Sequence, residues 1–242
     1  MGFPDPLPDA LRETYRGRTV CVTGGAGFIG GHLAERLLDA GASVQIIDDL
    51  SNSDAGLVAS LVERYPGRAR FVYGSILDRA ALAEAVENCS IVFHLGAMGS
   101  VPQSIQDPER CMAVNVTGTT RVAEAARSAG AERWVYSASA SAYGGTDDES
   151  PRRETELPTA LSPYAASKLA GEQIVRSWSS SMGLDGVSLR YFNIFGSRQS
   201  ADSAYAAVVA AFYKALSEHT APTVFGDGQQ TRDFTHVDNA VW

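Results

Sequence analysis

The stretch TVCVTGGAGFIGG, residues 19–31, decides the fold. Its first half, Thr19-Val20-Cys21-Val22-Thr23, is apolar and β-prone and reads as a buried parallel strand. Gly24, Gly27 and Gly30 follow at three-residue spacing, and a helical pattern begins at His32-Leu33-Ala34-Glu35-Arg36-Leu37-Leu38. In such a turn one glycine lets the chain reverse, another lets backbone approach a pyrophosphate, and a third lets helix pack close on strand. The first-turn N–H groups of the helix, unpaired within it, then face the anion. A glycine triplet by itself is equally compatible with a plain tight turn. A second apolar strand, Val44-Gln45-Ile46-Ile47, ends at Asp48. That is about 20 residues past the glycines, where a carboxylate accepts both ribose hydroxyls of NAD. Together the two strands predict a dinucleotide site, and Asp48 would repel the 2′-phosphate of NADP.

The 242-residue length suits one α/β domain, or one domain plus part of another. A hydrophobic fraction of 45% and a charged fraction of 20% are those of a soluble globular protein. Twenty Lys+Arg against 28 Asp+Glu give a net charge of -8 with no basic block, which argues against nucleic acid or an anionic membrane as partner. Cys21, Cys89 and Cys111 are odd in number and lie in apolar surroundings, which reads as reduced thiols in a cytoplasmic protein. No His/Cys/Asp/Glu cluster has metal-ligand spacing, and no apolar run approaches membrane-spanning length.

Along the chain, residues 1–17 read as a loose N-terminal extension rich in proline and glycine. Past Asp48, a polar loop and a helix over 58–64 lead to a third strand, Arg70-Phe71-Val72-Tyr73-Gly74. Asp78 caps a helix over 79–87, and Ile91-Val92-Phe93-His94-Leu95 is the fourth strand. Long helices are predicted over 108–128 and 162–182, with strands at Arg133–Ser137 and Val187–Tyr191. Strand and helix alternate, so the fold class is α/β with a doubly wound parallel sheet over 18–191. Residues 192–242 read as an incomplete smaller substrate domain: a loop at Asn193-Ile194-Phe195-Gly196, a helix over 204–217, a strand over 223–225, and a further element starting at Thr235.

Chemistry is expected at the carboxyl ends of these strands. Tyr164 and Lys168, four apart on one helix, share a face. A free phenol, pKa about 10, is a poor base at neutral pH, and a nearby ammonium lowers it by roughly 1–3 units. Such spacing also describes an ordinary surface pair, but the chain holds only two lysines against eighteen arginines and keeps one here. Ser139 follows the fifth strand, where its hydroxyl can reach the reacting oxygen, although a turn of small residues explains Ser137 and Ser141 equally well.

These residues resemble the extended short-chain dehydrogenase/reductases, specifically the NAD-dependent nucleotide-sugar epimerases and dehydratases. The matching motifs are TGGAGFIG (23–30), VFHLGA (92–97), NVTGT (115–119), SPYAASK (162–168), LRYFNIFG (189–196) and RDFTHVD (232–238). GSVPQS (99–104), RYFNIFGSRQ (190–199) and AYAAVV (204–209) are most similar to UDP-N-acetylglucosamine/UDP-glucose 4-epimerases. The resemblance implies a Ser139–Tyr164–Lys168 catalytic triad. For the cofactor it implies contacts from Gly24, Gly27, Phe28, Ile29 and Gly30, from Asp48, Asp49 and Asn52, and from Ser75 and Ile76. It adds Leu95, Gly96, Ala97, Asn115, Phe192, Tyr164 and Lys168 to that set. For a UDP-sugar it implies Asn193 and Arg232 at the diphosphate and Ser100 and Gln103 near the hexose, beside Ser139 and Tyr164. Family dehydratases carry an Asp-Glu pair where this chain has Ala140 and Ser141, and UDP-glucuronate decarboxylases a glutamate at Ser141, which disfavours both reactions. Gln103 occupies a position often arginine in relatives, and Ala140 replaces a serine common among enzymes of N-acetylated sugars.

The expected function is NAD-dependent 4-epimerisation of a UDP-hexose through a 4-keto intermediate. The alternatives are another nucleotide-sugar oxidoreductase or dehydratase releasing a keto product, and a non-catalytic NAD-binding protein. The resemblance also implies a homodimer through the two long helices, with Val114, Val122, Leu169 and Ile174 offering apolar surface. Family chains run beyond the position of Trp242, so the chain is expected to be a fragment, with an ordered cofactor core, a more open stretch after about Gly196, and Val224, Phe225, Phe234 and Val237 short of packing partners.

Overall fold

The computed structural model describes residues 8–145, 150–201, 207–224 and 226–242. In chain order, helix α1 (Asp9–Tyr15) precedes strand β1 (Thr19–Thr23), then α2 (Phe28–Asp39), β2 (Ser43–Asp48), α3 (Gly56–Arg64), β3 (Ala69–Tyr73), α4 (Arg79–Ala85) and β4 (Ile91–His94). Next come α5 (Val101–Gln106), α6 (Pro108–Met112), a π turn (Ala113–Gly118), α7 (Thr119–Ser128) and β5 (Arg133–Ser139). A 3-10 turn (Ala140–Tyr143) leads towards α8 (Pro163–Ser181) and β6 (Asp185–Tyr191). The chain ends with β7 (Asn193–Phe195), α9 (Val208–Ser217), β8 (Phe234–His236) and α10 (Val237–Val241).

Strands β1–β6 form a six-stranded sheet in the order β3-β2-β1-β4-β5-β6, every pair parallel. Residues of opposite parity face opposite ways along a strand. Val20, Val22, Val44 and Ile46 pack under α2 and α3, against Leu37, Leu38, Val58 and Leu61. Cys21, Ile47, Val92, Trp134 and Tyr136 pack under α4, α7 and α8, against Leu82, Val122 and Val175. The sheet is therefore doubly wound, and the order reverses between β1 and β4, which opens a crevice at their carboxyl ends.

Several expectations change in detail. Residues 9–15 form a helix rather than a loose extension, because Tyr15 packs on the core beside Phe93, ring centroids 6.4 Å apart; residues 1–7 lie outside the described set. The helix expected over 108–128 is continuous but passes through the π turn. Val122 is fully buried against the sheet and offers no outward surface, while Val114 and Ile174 are half-buried against the same core. The expected loop at 193–196 holds β7, which pairs in parallel with β8. Thr223 and Val224 belong to no strand, and Phe225 and residues 204–206 lie outside the described set. Val237 is buried, filling space beside Gly196, whereas Val224 and Phe234 are 54% and 43% exposed.

Candidate active site

The glycine turn fits an anion by what it leaves out. Gly24 has φ +70°, and a Cβ there would meet the Gly96 backbone nitrogen at 2.7 Å. A Cβ on Gly30 would lie 2.2 Å from the Gly24 carbonyl oxygen, so only glycine lets α2 start this close to β1. Gly27 is the extended N-cap of α2 and supplies no capping side chain, so the first-turn N–H groups around Phe28 and Ile29 remain for a ligand.

At the end of β2, Asp48 accepts from the backbone N–H of Ala26 at 3.0 Å and of Leu50 at 2.9 Å, and from the Ser53 hydroxyl at 3.1 Å. The carboxylate thus ties its own loop to the glycine turn. Asp49 caps the same loop by accepting from Ser51 N–H, and Asn52 is exposed beside it. Ser75 accepts from Leu77 N–H, and Ile76 packs close to both Gly96 and Gly118. Leu95, Gly96 and Ala97 follow β4, with Leu95 and Gly96 hydrogen-bonded to Thr23. These residues lie at or just beyond the carboxyl ends of β1, β2, β3 and β4.

Asn115 stands apart from that expectation. It is 2% exposed, accepts from Met98 N–H at 2.8 Å, and donates to the Met98 carbonyl and to Ser167 Oγ. Its amide holds the loop after β4 against α8, so its part is to brace the site from within.

Ser139, Tyr164 and Lys168 come together. Ser162 N-caps α8, accepting from Ala165 N–H, and Ser104 on α5 accepts from Tyr164 N–H, so the first turn of α8 is pinned from two sides. Ser139 closes β5, one strand end away, and its hydroxyl acts on the Tyr164 phenol in the direction that favours the phenolate. It also accepts from Ser141 N–H at 3.2 Å and Ser141 Oγ at 2.9 Å. Lys168 is 4% exposed; its Nζ donates to the Ser137 carbonyl at 2.7 Å and lies 5.1 Å from the Tyr136 ring and 5.9 Å from the Tyr164 ring.

Burial pushes the Lys168 ammonium down to about 8. Burial also raises the Tyr164 phenol above its ordinary value, with the nearby Ser139 hydroxyl opposing it. The lowering expected from Lys168 is thus not what dominates in the free protein: the phenol loses more hydration than its neighbours return.

The residues expected at the substrate fall into separate pairs. Ser100 N-caps α5, accepting from Gln103 N–H, and Gln103 is exposed. The β7–β8 register sets Asn193 opposite Phe234, two residues from Arg232, and Asn193 donates to the Asp233 carbonyl. Arg232 is exposed, its guanidinium donating to the Thr231 carbonyl. Among the described residues no hydrogen bond joins either pair to the Ser139–Tyr164–Lys168 group. A cavity of about 610 Å³ lies beside β6 rather than over that group; Phe192, stacked on Tyr143 with centroids 6.1 Å apart, is the one predicted site residue on its wall. Among the described residues no group of His, Cys, Asp and Glu could hold a metal, and no helix is long and apolar enough to cross a membrane.

Sequence reasoning passed over His94, Thr23, Thr119 and Ser167, all buried beneath the site. Their signal was a polar residue interrupting a run that should be apolar.

A family model described as the NAD dependent epimerase/dehydratase family matches residues 20–241. The UDP-glucose 4-epimerase of Mycolicibacterium smegmatis is 38% identical over 221 residues, covering 91% of this chain and 70% of that protein. A solved UDP-N-acetylglucosamine 4-epimerase from Methanobrevibacter ruminantium, in complex with UDP-N-acetylmuramic acid, superposes with a TM-score of 0.86 at 35% identity, over 93% of this chain and 71% of that one. The UDP-glucose 4-epimerase of Thermus thermophilus, solved with NAD, gives a TM-score of 0.82 at 32% identity, over 92% of this chain and 72% of that one.

Proposed function

The chain belongs to the NAD dependent epimerase/dehydratase family, and from that premise we propose that it interconverts the C4 epimers of a UDP-hexose, glucose-type or N-acetylated. NAD is the cofactor. When bound, it supplies a hydride acceptor in one direction and a hydride donor in the other, so no net redox change accumulates. The glycine turn, the first turn of α2 and Asp48 are the residues that would hold it.

The observation that carries the proposal is the meeting of Ser139, Tyr164 and Lys168 at the end of β5. Ser139 already accepts twice from Ser141, so its single proton is left for the phenol oxygen. Lys168 supplies positive charge beneath the Tyr164 ring, which opposes the effect of burial and favours the phenolate. As phenolate, Tyr164 takes the proton of the sugar 4-hydroxyl and returns it after the transient 4-keto sugar has presented its other face. Neither Ala140 nor Ser141 supplies the carboxylate that dehydration needs. For the diphosphate we assign Asn193 and Arg232, which the β7–β8 pair holds near each other. We further propose a cytoplasmic homodimer; three buried free cysteines support a reducing compartment.

The test is incubation with UDP-glucose and with UDP-N-acetylglucosamine, followed by separation of the epimers. Tyr164→Phe should keep NAD binding and lose turnover by about 10²–10⁴-fold. Steady accumulation of reduced nicotinamide absorbance during turnover, or full activity in Tyr164→Phe, contradicts the proposal.

A further inference from the structure

His94 ends β4 at the floor of the crevice and is 1% exposed. Both ring nitrogens are engaged: Nδ1 lies 2.7 Å from the Thr23 hydroxyl and Nε2 lies 2.9 Å from the Thr119 hydroxyl. The protons can be assigned because backbone groups close both ends. Thr119 Oγ1 is 2.6 Å from the Asn115 carbonyl, which only accepts, so its one proton goes there and it must accept from Nε2–H. At the other end Thr23 Oγ1 accepts from Gly96 N–H at 3.0 Å, which leaves its own proton for Nδ1. A neutral ring protonated on Nε2 satisfies every link, whereas one protonated on Nδ1 alone would leave Nε2 facing a hydroxyl whose one proton is already spent. Burial acts the same way, pushing the imidazole down to about 3, with the Lys168 ammonium adding to it.

The ends of this chain of bonds carry the consequence. Thr23 leads directly into Gly24 and the glycine turn. Asn115 sits in the π turn, its amide donates to Ser167 Oγ, and Ser167 donates to the Tyr164 carbonyl. From the glycine turn to the α8 turn that bears Tyr164, no link exceeds 2.9 Å. Histidine suits the centre because its two nitrogens, one donor and one acceptor, point in opposite directions from a rigid ring.

We propose that His94, held as the neutral Nε2–H tautomer, is a positioning residue that fixes the glycine turn relative to the Tyr164 turn, so that cofactor and phenol are presented in register. The inference rests on Tyr164 as the acid–base group proposed above, but its two main readouts do not require turnover.

Nitrogen NMR of protein labelled in histidine reads the tautomer directly. In the wild type His94 should carry its proton on Nε2 and not titrate across roughly pH 5–8. Thr119→Val removes the acceptor of Nε2–H, whereas Thr119→Ser keeps it. Thr119→Val should bind NAD about tenfold more weakly, followed by quenching of tryptophan fluorescence, while Thr119→Ser stays close to wild type. Once turnover is established, kcat in Thr119→Val should fall by about 10–10²-fold at unchanged sugar KM. A ring protonated on Nδ1, a titrating His94, or equal NAD affinity in Thr119→Val and Thr119→Ser overturns the inference. The tautomer is read on wild type and so decides even where Thr119→Val does not fold. If tautomer and NAD affinity behave as stated but no UDP-hexose is epimerised, the positioning role stands and the substrate reading fails.

Discussion

Lys168 holds a charge where burial works against it. Its ammonium has one carbonyl partner, Ser137, and two aromatic faces near it, and its pKa drops from 10.5 to about 8. Below about pH 8 both folded and unfolded chains bind the proton, and the desolvation penalty stands in full. Between about 8 and 10.5 the unfolded chain binds more protons than the folded one, so stability from this group rises with pH and the penalty fades. Lys168→Met keeps the length and removes the charge but forfeits one hydrogen bond. The NAD-free variant should therefore be more stable than wild type at pH 7, by about 2 kcal/mol. Urea melts should show that advantage shrinking as pH rises through 8 to 10.5, while turnover is lost. A variant less stable at pH 7, or an advantage independent of pH, contradicts this account of the site.

Helix α8 carries both Tyr164 and Lys168, and its distance from the sheet decides whether they reach β5. That distance is set at Gly171, where a Cβ would lie 2.1 Å from the Tyr136 hydroxyl oxygen and 2.3 Å from Cζ. Gly171→Ala forces the helix outward or displaces Tyr136, whose ring supports Lys168. Overpacking of this kind costs about 1–3 kcal/mol, measurable by urea denaturation. Tyr164 and Lys168 lie two turns and one turn upstream, so epimerisation should fall further than NAD affinity does. Wild-type stability and turnover in Gly171→Ala would mean that the close approach has no consequence. The other long helix run shows a limit of pattern reading: residues 108–128 have a helical period throughout, yet the chain inserts a π turn around Asn115. Asn115 bonds Met98 and Ser167, both remote in sequence, and such turns recur at functional sites.

At the scale of the molecule, two helix runs, 108–128 and 163–181, lie side by side on one face of the sheet. Met112 is 39% exposed on the first run, and Leu169 and Ile174 are half-buried on the second. A two-fold axis along this face would pair them with a second copy. Light scattering at micromolar concentration should therefore give twice the chain's 25.7 kDa. A monomer under those conditions contradicts the dimer. The chain carries a net charge of -8, and Arg232 is an exposed cation close in sequence to the strand that pairs with Asn193.

Strand–helix alternation over residues 18–191 by itself determined the doubly wound sheet, and residues 19–31 with Asp48 pointed to a dinucleotide, because strand period, glycine spacing and an acid at a strand end are local properties. The four-residue spacing likewise put Tyr164 and Lys168 on one helix face, where the structure has them. Tertiary structure alone decided the rest. The phenol is raised rather than lowered because burial depends on what packs around it. Asn193 and Arg232 become neighbours only through the β7–β8 pairing, where local sequence suggested a loop. His94 sits inside a motif readable by eye, but its meaning lies in Thr23 and Thr119, 71 residues before it and 25 after. A hydrogen bond between groups so far apart in the chain has no periodic trace, and only the folded backbone brings them within reach.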